Sequence, residues 1–160
     1  MAIKTADLCD QLGAAAQPCL ANWRCFGGRT VASGRVQTVR VFEDAALILQ
    51  ALGDAGHGRI LVVDAGASRR VAVLGDRMAR IGLDNGWAGV LIHGAVRDVD
   101  ILGELDFCVF ALGAVPCRGG KAGTGEIGVE LSLAGTPIRP GDFIAMDADG
   151  VVVSKDLPTA

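Results

Sequence analysis

The chain has 160 residues, a length suited to a single domain over 1–160 that buries about two-thirds of its unfolded surface. A net charge of −3 and a pI near 5.3 exclude the clustered basic footprint that phosphate recognition needs, so direct nucleic-acid binding is not expected. No apolar run approaches the ~18 residues of a membrane span, and the start MAIKTADLCDQL lacks the basic and apolar regions of an export signal; the expectation is a cytoplasmic chain with no membrane partner.

In chain order, Thr5 is a suitable N-cap for a short outer helix through Leu12, with Asp7 in its first turn and Gly13 just past its end. Pro18 and Gly27-Gly28 break 14–29 into loop and turn. Residues 31–42 alternate apolar with polar, notably at Val36, Val39 and Val41, and predict a strand with a kink or bulge at Gly34. Glu43-Asp44 supplies an acidic first turn to a helix over 45–52, which Gly53 ends. His57, in the loop 53–58, has no acidic or thiol neighbour at metal spacing and reads as a solvated histidine.

The stretch 59–98 organises the rest. It holds a buried-strand pattern at 60–63, a second apolar run at 71–74, a glycine-led helix start at Gly75-Asp76, and a strand at 90–92 that runs into Arg97-Asp98. Strands apolar on both faces and separated by a helical pattern predict parallel strands covered by helices. In such sheets the groups that meet a ligand collect at strand carboxyl ends and helix N-termini, the two places that Gly75-Asp76 and Arg97-Asp98 occupy.

Beyond it, 99–105 reads as a short helix and 107–112 as a strand. The segment 113–126 carries five glycines and one proline, which predicts a long surface loop kept for binding or for wrapping a neighbour. Its Gly-Gly-Lys-Ala-Gly-Thr-Gly is not a phosphate loop, because Lys121 precedes the glycines it would have to follow. Residues 127–133 alternate as a strand, 135–141 turn the chain, and 143–146 with 151–153 form a hairpin across 147–150. The sum is a mixed α/β domain.

The five cysteines (Cys9, Cys19, Cys25, Cys108, Cys117) are odd in number and form no C-x-x-C, the signature of reduced thiols rather than a disulfide framework or a zinc cluster; Cys117, in the glycine-rich segment, is the one expected to be exposed. Hydrophobic residues make up 51% even before the 23 glycines are added, above the roughly 45–50% usual for a set that includes glycine, and the excess predicts surface hidden by self-association.

No G-x-S-x-G, H-E-x-x-H or G-x-G-x-x-G is present, which removes most support for nucleophilic and dinucleotide chemistry. What remains is Gly75-Asp76-Arg77-Met78 and Arg97-Asp98. First-turn backbone N–H groups suit a carboxylate, and glycine lets it approach. Arginine adds a planar fork for a carbonyl or carboxylate oxygen, and the aspartate beside it suits a hard cation that keeps most of its waters. Together they describe a site for a small 2-oxo acid on Mg²⁺ or Mn²⁺. Two plainer readings stand beside it: Asp76 as a cap of its own helix, and Arg97-Asp98 as a surface ion pair.

Phe26-Gly-Gly-Arg29, Thr38-Val-Arg-Val-Phe-Glu-Asp44, Leu61-Val-Val-Asp-Ala-Gly66, Gly94-Ala-Val-Arg-Asp98, and Gly141-Asp142 with Asp149-Gly150 carry a resemblance over almost the whole chain. They resemble the regulator of ribonuclease activity A (RraA) family, which includes the class II 4-hydroxy-4-methyl-2-oxoglutarate (HMG) aldolases and sequences labelled demethylmenaquinone methyltransferase. The resemblance implies a mixed central sheet with flanking helices, of swivelling β/β/α type, and a ring-like homotrimer.

The family's aldolases are marked by an Asp, twenty intervening residues and Arg-Asp, a spacing met here by Asp76 and Arg97-Asp98. The resemblance implies that Asp98 binds the metal directly, Asp76 holds a metal-bound water, Arg97 contacts substrate, and the backbone of Gly75, Asp76, Arg77 and Met78 cradles the pyruvyl carboxylate. Ribonuclease regulators of this length lack an acid at the position of Asp98, so the chain sides with the enzymes there. Two features set it apart from them: Ile101 stands where many have an acid, with Asp100 one place early, and the longer enzymes add a glutamate from a neighbour's C-terminal extension, whereas this chain ends at Ala160. Both imply weaker metal affinity and slower turnover.

The activity implied is metal-dependent cleavage of HMG to two pyruvates, with oxaloacetate decarboxylation as a second reaction. The alternative is an RraA-like regulator that binds and restrains an endoribonuclease without chemistry. No glycine-rich S-adenosylmethionine loop follows an early strand, so the methyltransferase label has little physical support.

Overall fold

The apolar runs of 60–64, 89–96 and 108–114 lie side by side as the parallel centre of a mixed sheet. The computed structural model describes residues 2–158. Its helices are α1 (Thr5–Leu12), α2 (Ala46–Leu52), α3 (Asp76–Asp84) and α4 (Val99–Leu102), with a 3₁₀ turn at Gly13–Ala15. The strands are β1 (Gln17–Pro18), β2 (Arg24–Cys25), β3 (Ala32–Arg40), β4 (Ile60–Asp64), β5 (Ala72–Leu74) and β6 (Gly89–Val96), then β7 (Cys108–Ala114), β8 (Glu126–Ile127), β9 (Leu131–Leu133), β10 (Thr136–Ile138), β11 (Phe143–Asp147) and β12 (Gly150–Ser154).

Ten strands form one sheet in the order β1-β12-β11-β3-β4-β6-β7-β2, with β5 beside β6 and β8 beside β3. The long strand β3 joins its two halves: 32–35 pair antiparallel with β11, and 36–40 pair parallel with β4. Because side chains alternate along a strand, the central strands feed two cores. Leu61, Val63, Val90 and Ile92 pack with Ile48 and Leu52 of α2, Ala79 of α3 and Leu102 of α4. Ile60, Val62 and Leu91 pack on the other side with Leu131, Leu133 and Ile138 of the small β9-β10 hairpin. Helices therefore cover one face of the parallel strands, and a hairpin covers the other where helices were expected.

Several local expectations are corrected by packing. Thr5 is not the N-cap: Lys4 holds that position, and the buried Thr5 donates its amide (2.8 Å) and hydroxyl (2.7 Å) to the Asp147 carboxylate, pinning α1 to the β11-β12 hairpin. Gly34 marks no bulge, since its ladder to β11 is continuous; a Cβ there would stand 2.5 Å from the Gly58 carbonyl oxygen, so glycine answers a close backbone approach. Glu43 and Asp44 precede α2 rather than forming its first turn. Glu43 adopts φ +54° and accepts a bidentate pair from Arg70 at 2.8 Å. The run 127–133 is split by Gly128 at φ +80° into β8 and β9. Residues 135–141 are not merely a turn, because 136–138 form β10, joined to β9 through Ala134 and Gly135 with φ +49° and +83°. The helix expected over 99–105 stops at Leu102, whereas the 143–147/150–154 hairpin stands where it was expected. No helix among the described residues is long and apolar enough to cross a membrane.

Candidate functional site

The carboxyl ends of β5 and β6 deliver the two halves of the sequence motif to one cleft. β5 ends at Leu74, Gly75 caps α3, and Asp76, Arg77 and Met78 form the helix's first turn. β6 runs from Gly89 to Val96, longer than the 90–92 core expected, and Arg97-Asp98 follow it directly. A cleft of about 310 Å³ is lined by Gly75 through Met78, Arg97 and Asp98.

The Asp98 backbone is left-handed (φ +60°, ψ +40°), a conformation that Asp tolerates better than most side chains. Its carboxylate does not cap α4; instead Oδ2 accepts the Asp76 amide of α3 at 3.2 Å. A Cβ on residue 75 would lie 2.6 Å from that same Oδ2 and 3.5 Å from Cγ of Arg97. Glycine at 75 thus leaves room for the chain's own Asp98 carboxylate. Arg97 Nε stands 4.0 Å from Asp98 Oδ2, with the two side chains 37% and 35% exposed, so the pair is loose and both heads face the cleft. The Arg97 guanidinium also donates to the Pro116 carbonyl at 3.4 Å.

Asp76 makes no side-chain cap to α3. The first intrahelical bond runs from the Ala79 amide to the Gly75 carbonyl, so the Arg77 and Met78 amides are left without acceptors in the helix. Arg77 is exposed and Met78 half-buried. A helix N-terminus with free amides carries partial positive charge and attracts carboxylates.

The opposite wall was missed in the sequence. Residues 115–123 form the irregular, exposed surface segment expected, and it lies as a strap along α2 and β5 that places Arg118 and Lys121 on the cleft. The strap is tacked by Ala72 N–H to the Cys117 carbonyl (2.7 Å), Gly119 N–H to Ala72 (2.8 Å) and Gly120 N–H to Glu43 (2.8 Å). Asp44, only 3% exposed, accepts the amides of Ala122 (2.6 Å), Gly123 (3.2 Å) and Ala46 (3.0 Å). Burial pushes the Asp44 carboxyl pKa up, but these three bonds outweigh it and hold it below the ordinary carboxylate value. The available signal was that Arg118 and Lys121 are the only cations in 113–126. Asp44 carried no such signal, because an acid before an apolar run looks like a helix start. His57 stands in an exposed loop away from the cleft, and no group of three or more His, Cys, Asp or Glu among the described residues could hold a metal.

Residues 5–153 match the RraA-like family, described as Aldolase/RraA. The chain is 44% identical to the 4-hydroxy-4-methyl-2-oxoglutarate aldolase of Thermus thermophilus, over 86% of this chain and 84% of that protein. Its structure is similar to that of the RNA-processing inhibitor RraA from Thermus thermophilus, with TM-score 0.95, 41% identity, and coverage of 100% and 97% of the two chains. It is also similar to the S-adenosylmethionine:2-dimethylmenaquinone methyltransferase structure from Geobacillus kaustophilus, with TM-score 0.94, 46% identity and 97% of each chain covered. With the motif residues gathered in one cleft and the match running along nearly its whole length, the chain belongs to the RraA-like (Aldolase/RraA) family.

Proposed function

We propose that this protein is a divalent-metal-dependent carbon–carbon lyase that cleaves 4-hydroxy-4-methyl-2-oxoglutarate to two pyruvates, with oxaloacetate decarboxylation as a secondary activity. The observation that carries the reading is the Asp98 carboxylate, folded away from its own helix and aimed into a cleft of arginines and free amides. The name of the 44% identical relative supports the substrate.

The residues present fit a hard cation. With no cluster of three ligands among the described residues, an ion at Asp98 would be completed by water and substrate, as Mg²⁺ and Mn²⁺ accept and a closed zinc site does not. Asp98 would be the direct ligand, and Asp76 the holder of a bound water. The metal would supply Lewis-acid polarisation of the 2-oxo group.

The chain's own groups do the rest. The Arg77 and Met78 amides bind the carboxylate next to the oxo group, and the α3 dipole favours its charge. Arg97 donates to the oxo oxygen, where negative charge collects as the bond between C3 and C4 breaks and its electron pair moves into the enolate. The proton from the C4 hydroxyl leaves through water held at the Asp76 carboxylate, and a proton returns to C3 to complete the second pyruvate. Decarboxylation of oxaloacetate leaves the same enolate, so the same contacts serve both reactions. Pyruvate release from each substrate, with and without Mg²⁺, tests the proposal; release no faster than the spontaneous breakdown of oxaloacetate sinks it.

Assembly as a ring-like homotrimer in the cytoplasm completes the proposal. Leu20 (76% exposed) and Phe42 (58% exposed) are apolar surface that such an assembly would cover, and a monomer mass by light scattering would refute it. The likeness to the RNA-processing inhibitor RraA favours a second reading, in which the protein binds and restrains an endoribonuclease. Inhibition of that nuclease at stoichiometric concentration, preserved in Asp98→Ala, would support it.

A further inference from the structure

The five cysteines are free in the structure, yet two of them sit together. Cys25 lies on the two-residue edge strand β2, exposed, and pairs in register with Phe110 of β7. Side chains two apart on a strand share a face, so buried Cys108 projects on the same side as Cys25, as its diagonal neighbour. After Cys25 the chain folds down onto β7: the Phe26 amide donates to the Val109 carbonyl at 2.8 Å, and Arg29 bridges Cys108. Gly27 makes this approach possible, since a Cβ there would lie 2.0 Å from the Phe107 carbonyl oxygen. The Cys25 thiol consequently donates to the Gly27 carbonyl oxygen at 3.7 Å and to that of Arg29 at 3.6 Å, which holds its sulfur over the backbone segment that bridges to Cys108.

We propose that Cys25 and Cys108 are a peroxide-responsive dithiol, in which exposed Cys25 is the attacking sulfur and buried Cys108 the resolving one, closing an intramolecular disulfide. The pair is independent of the lyase reading.

The chemistry balances with hydrogen peroxide or an alkyl hydroperoxide as oxidant. The Cys25 thiolate attacks the terminal peroxide oxygen, the O–O bond breaks, and the departing hydroxide or alkoxide takes a proton, leaving a sulfenic acid on Cys25. The Cys108 sulfur then attacks the Cys25 sulfur; its S–O bond breaks, and the hydroxide leaves as water with the Cys108 proton. Both sulfurs are oxidised by one electron each, the peroxide is reduced, and a thiol reductant reverses the bond.

The arrangement divides the labour. The neighbouring Cys108 thiol, ahead of the opposing effect of burial, brings the Cys25 thiol down to about 7, in the range of reactive cysteines. The same neighbour, with burial, pushes Cys108 up, so it keeps its proton until Cys25 has been converted. Closing the bond requires the two diagonal neighbours to draw together to bonding distance, a shift that falls on a short edge strand followed by Gly27-Gly28. Cys117, also exposed but on the strap, is an internal control.

The test treats the reduced full-length protein with stoichiometric hydrogen peroxide, blocks remaining thiols and maps peptides. The expected product is a Cys25–Cys108 disulfide; in Cys108→Ala, chosen beside Cys108→Ser because the site is fully buried, a dimedone-trapped sulfenic acid should accumulate on Cys25 instead. Iodoacetamide should label Cys25 at least several-fold faster than Cys117 at pH 7, with a rate that rises through a midpoint near 7. Oxidation of Cys117 ahead of Cys25, or over-oxidation of Cys25 in the wild type with no Cys25–Cys108 bond, would overturn the proposal.

Discussion

The two walls of the cleft are built in opposite ways. One consists of the ends of regular elements: β5 into α3 and β6 into α4, where Gly75-Asp76 and Arg97-Asp98 are held by the β5-β6 and β6-β7 ladders. The other is the irregular strap 115–123, which carries Arg118 and Lys121 and hangs on a few backbone bonds and one buried carboxylate, Asp44. Fixed wall residues can be changed with little cost to folding, because they are wet and end an element. The strap's cations cost little individually, but what holds them is buried, so its failure shows in stability as well as binding.

The largest expected effect lies on the fixed wall. Asp98→Ala should cut metal-dependent pyruvate release by about 10³ or more, since losing several kcal/mol of Lewis-acid stabilisation costs a factor of ten per 1.4 kcal/mol. Retention of more than about a tenth of wild-type release, in a variant with unchanged circular dichroism, would show that no metal is held there. Arg97→Lys keeps the charge but loses the fork, and should lower kcat/KM by about tenfold to a hundredfold, with KM raised and kcat reduced.

On the strap, Asp44→Ala should cost about 2 kcal/mol by removing three amide hydrogen bonds to a charged, buried carboxylate, read as a lower urea midpoint, and should raise KM as Arg118 and Lys121 lose their support. An unchanged midpoint would mean that the backbone tacks alone hold the strap. Asp44 also makes this difference pH-dependent. Its folded pKa lies below the ordinary value, so the unfolded chain binds the proton first on acidification. The stabilisation is present above the unfolded carboxylate pKa of about 3.9 and is lost as pH falls through the folded value. The stability gap between wild type and Asp44→Ala should therefore shrink below about pH 4, and a gap that widens there would reverse the assignment. Lys121→Ala should be mildest: about 1 kcal/mol or less from an exposed charge, read as a KM raised up to about fivefold with kcat and stability unchanged.

Legibility followed the same division. Asp76 and Arg97-Asp98 could be found from sequence because the apolar runs at 60–63, 71–74 and 90–92 marked strands, and ligand groups gather where such strands end. Asp98 as an acceptor for its neighbour's amide could not, because it depends on a left-handed turn at a non-glycine residue. Glu43-Asp44 looked like a helix start and became two anchors, one for Arg70 and one for the strap. Cys25 and Cys108 are 83 positions apart in sequence, and only the pairing of β2 with β7 brings them together.

By itself the sequence determined the parallel centre of the sheet, α3 with its glycine lead and the C-terminal hairpin, because each is written in local periodicity or in residues a few places apart, whereas the Asp76 to Arg97-Asp98 spacing became legible through the family resemblance. Only the tertiary structure decided that a hairpin rather than helices covers the second face, that 115–123 lies down as a wall, and that a buried carboxylate holds it. Those outcomes depend on which backbone amides are left without partners once the sheet has formed, and a chain read in order does not show its unpaired groups.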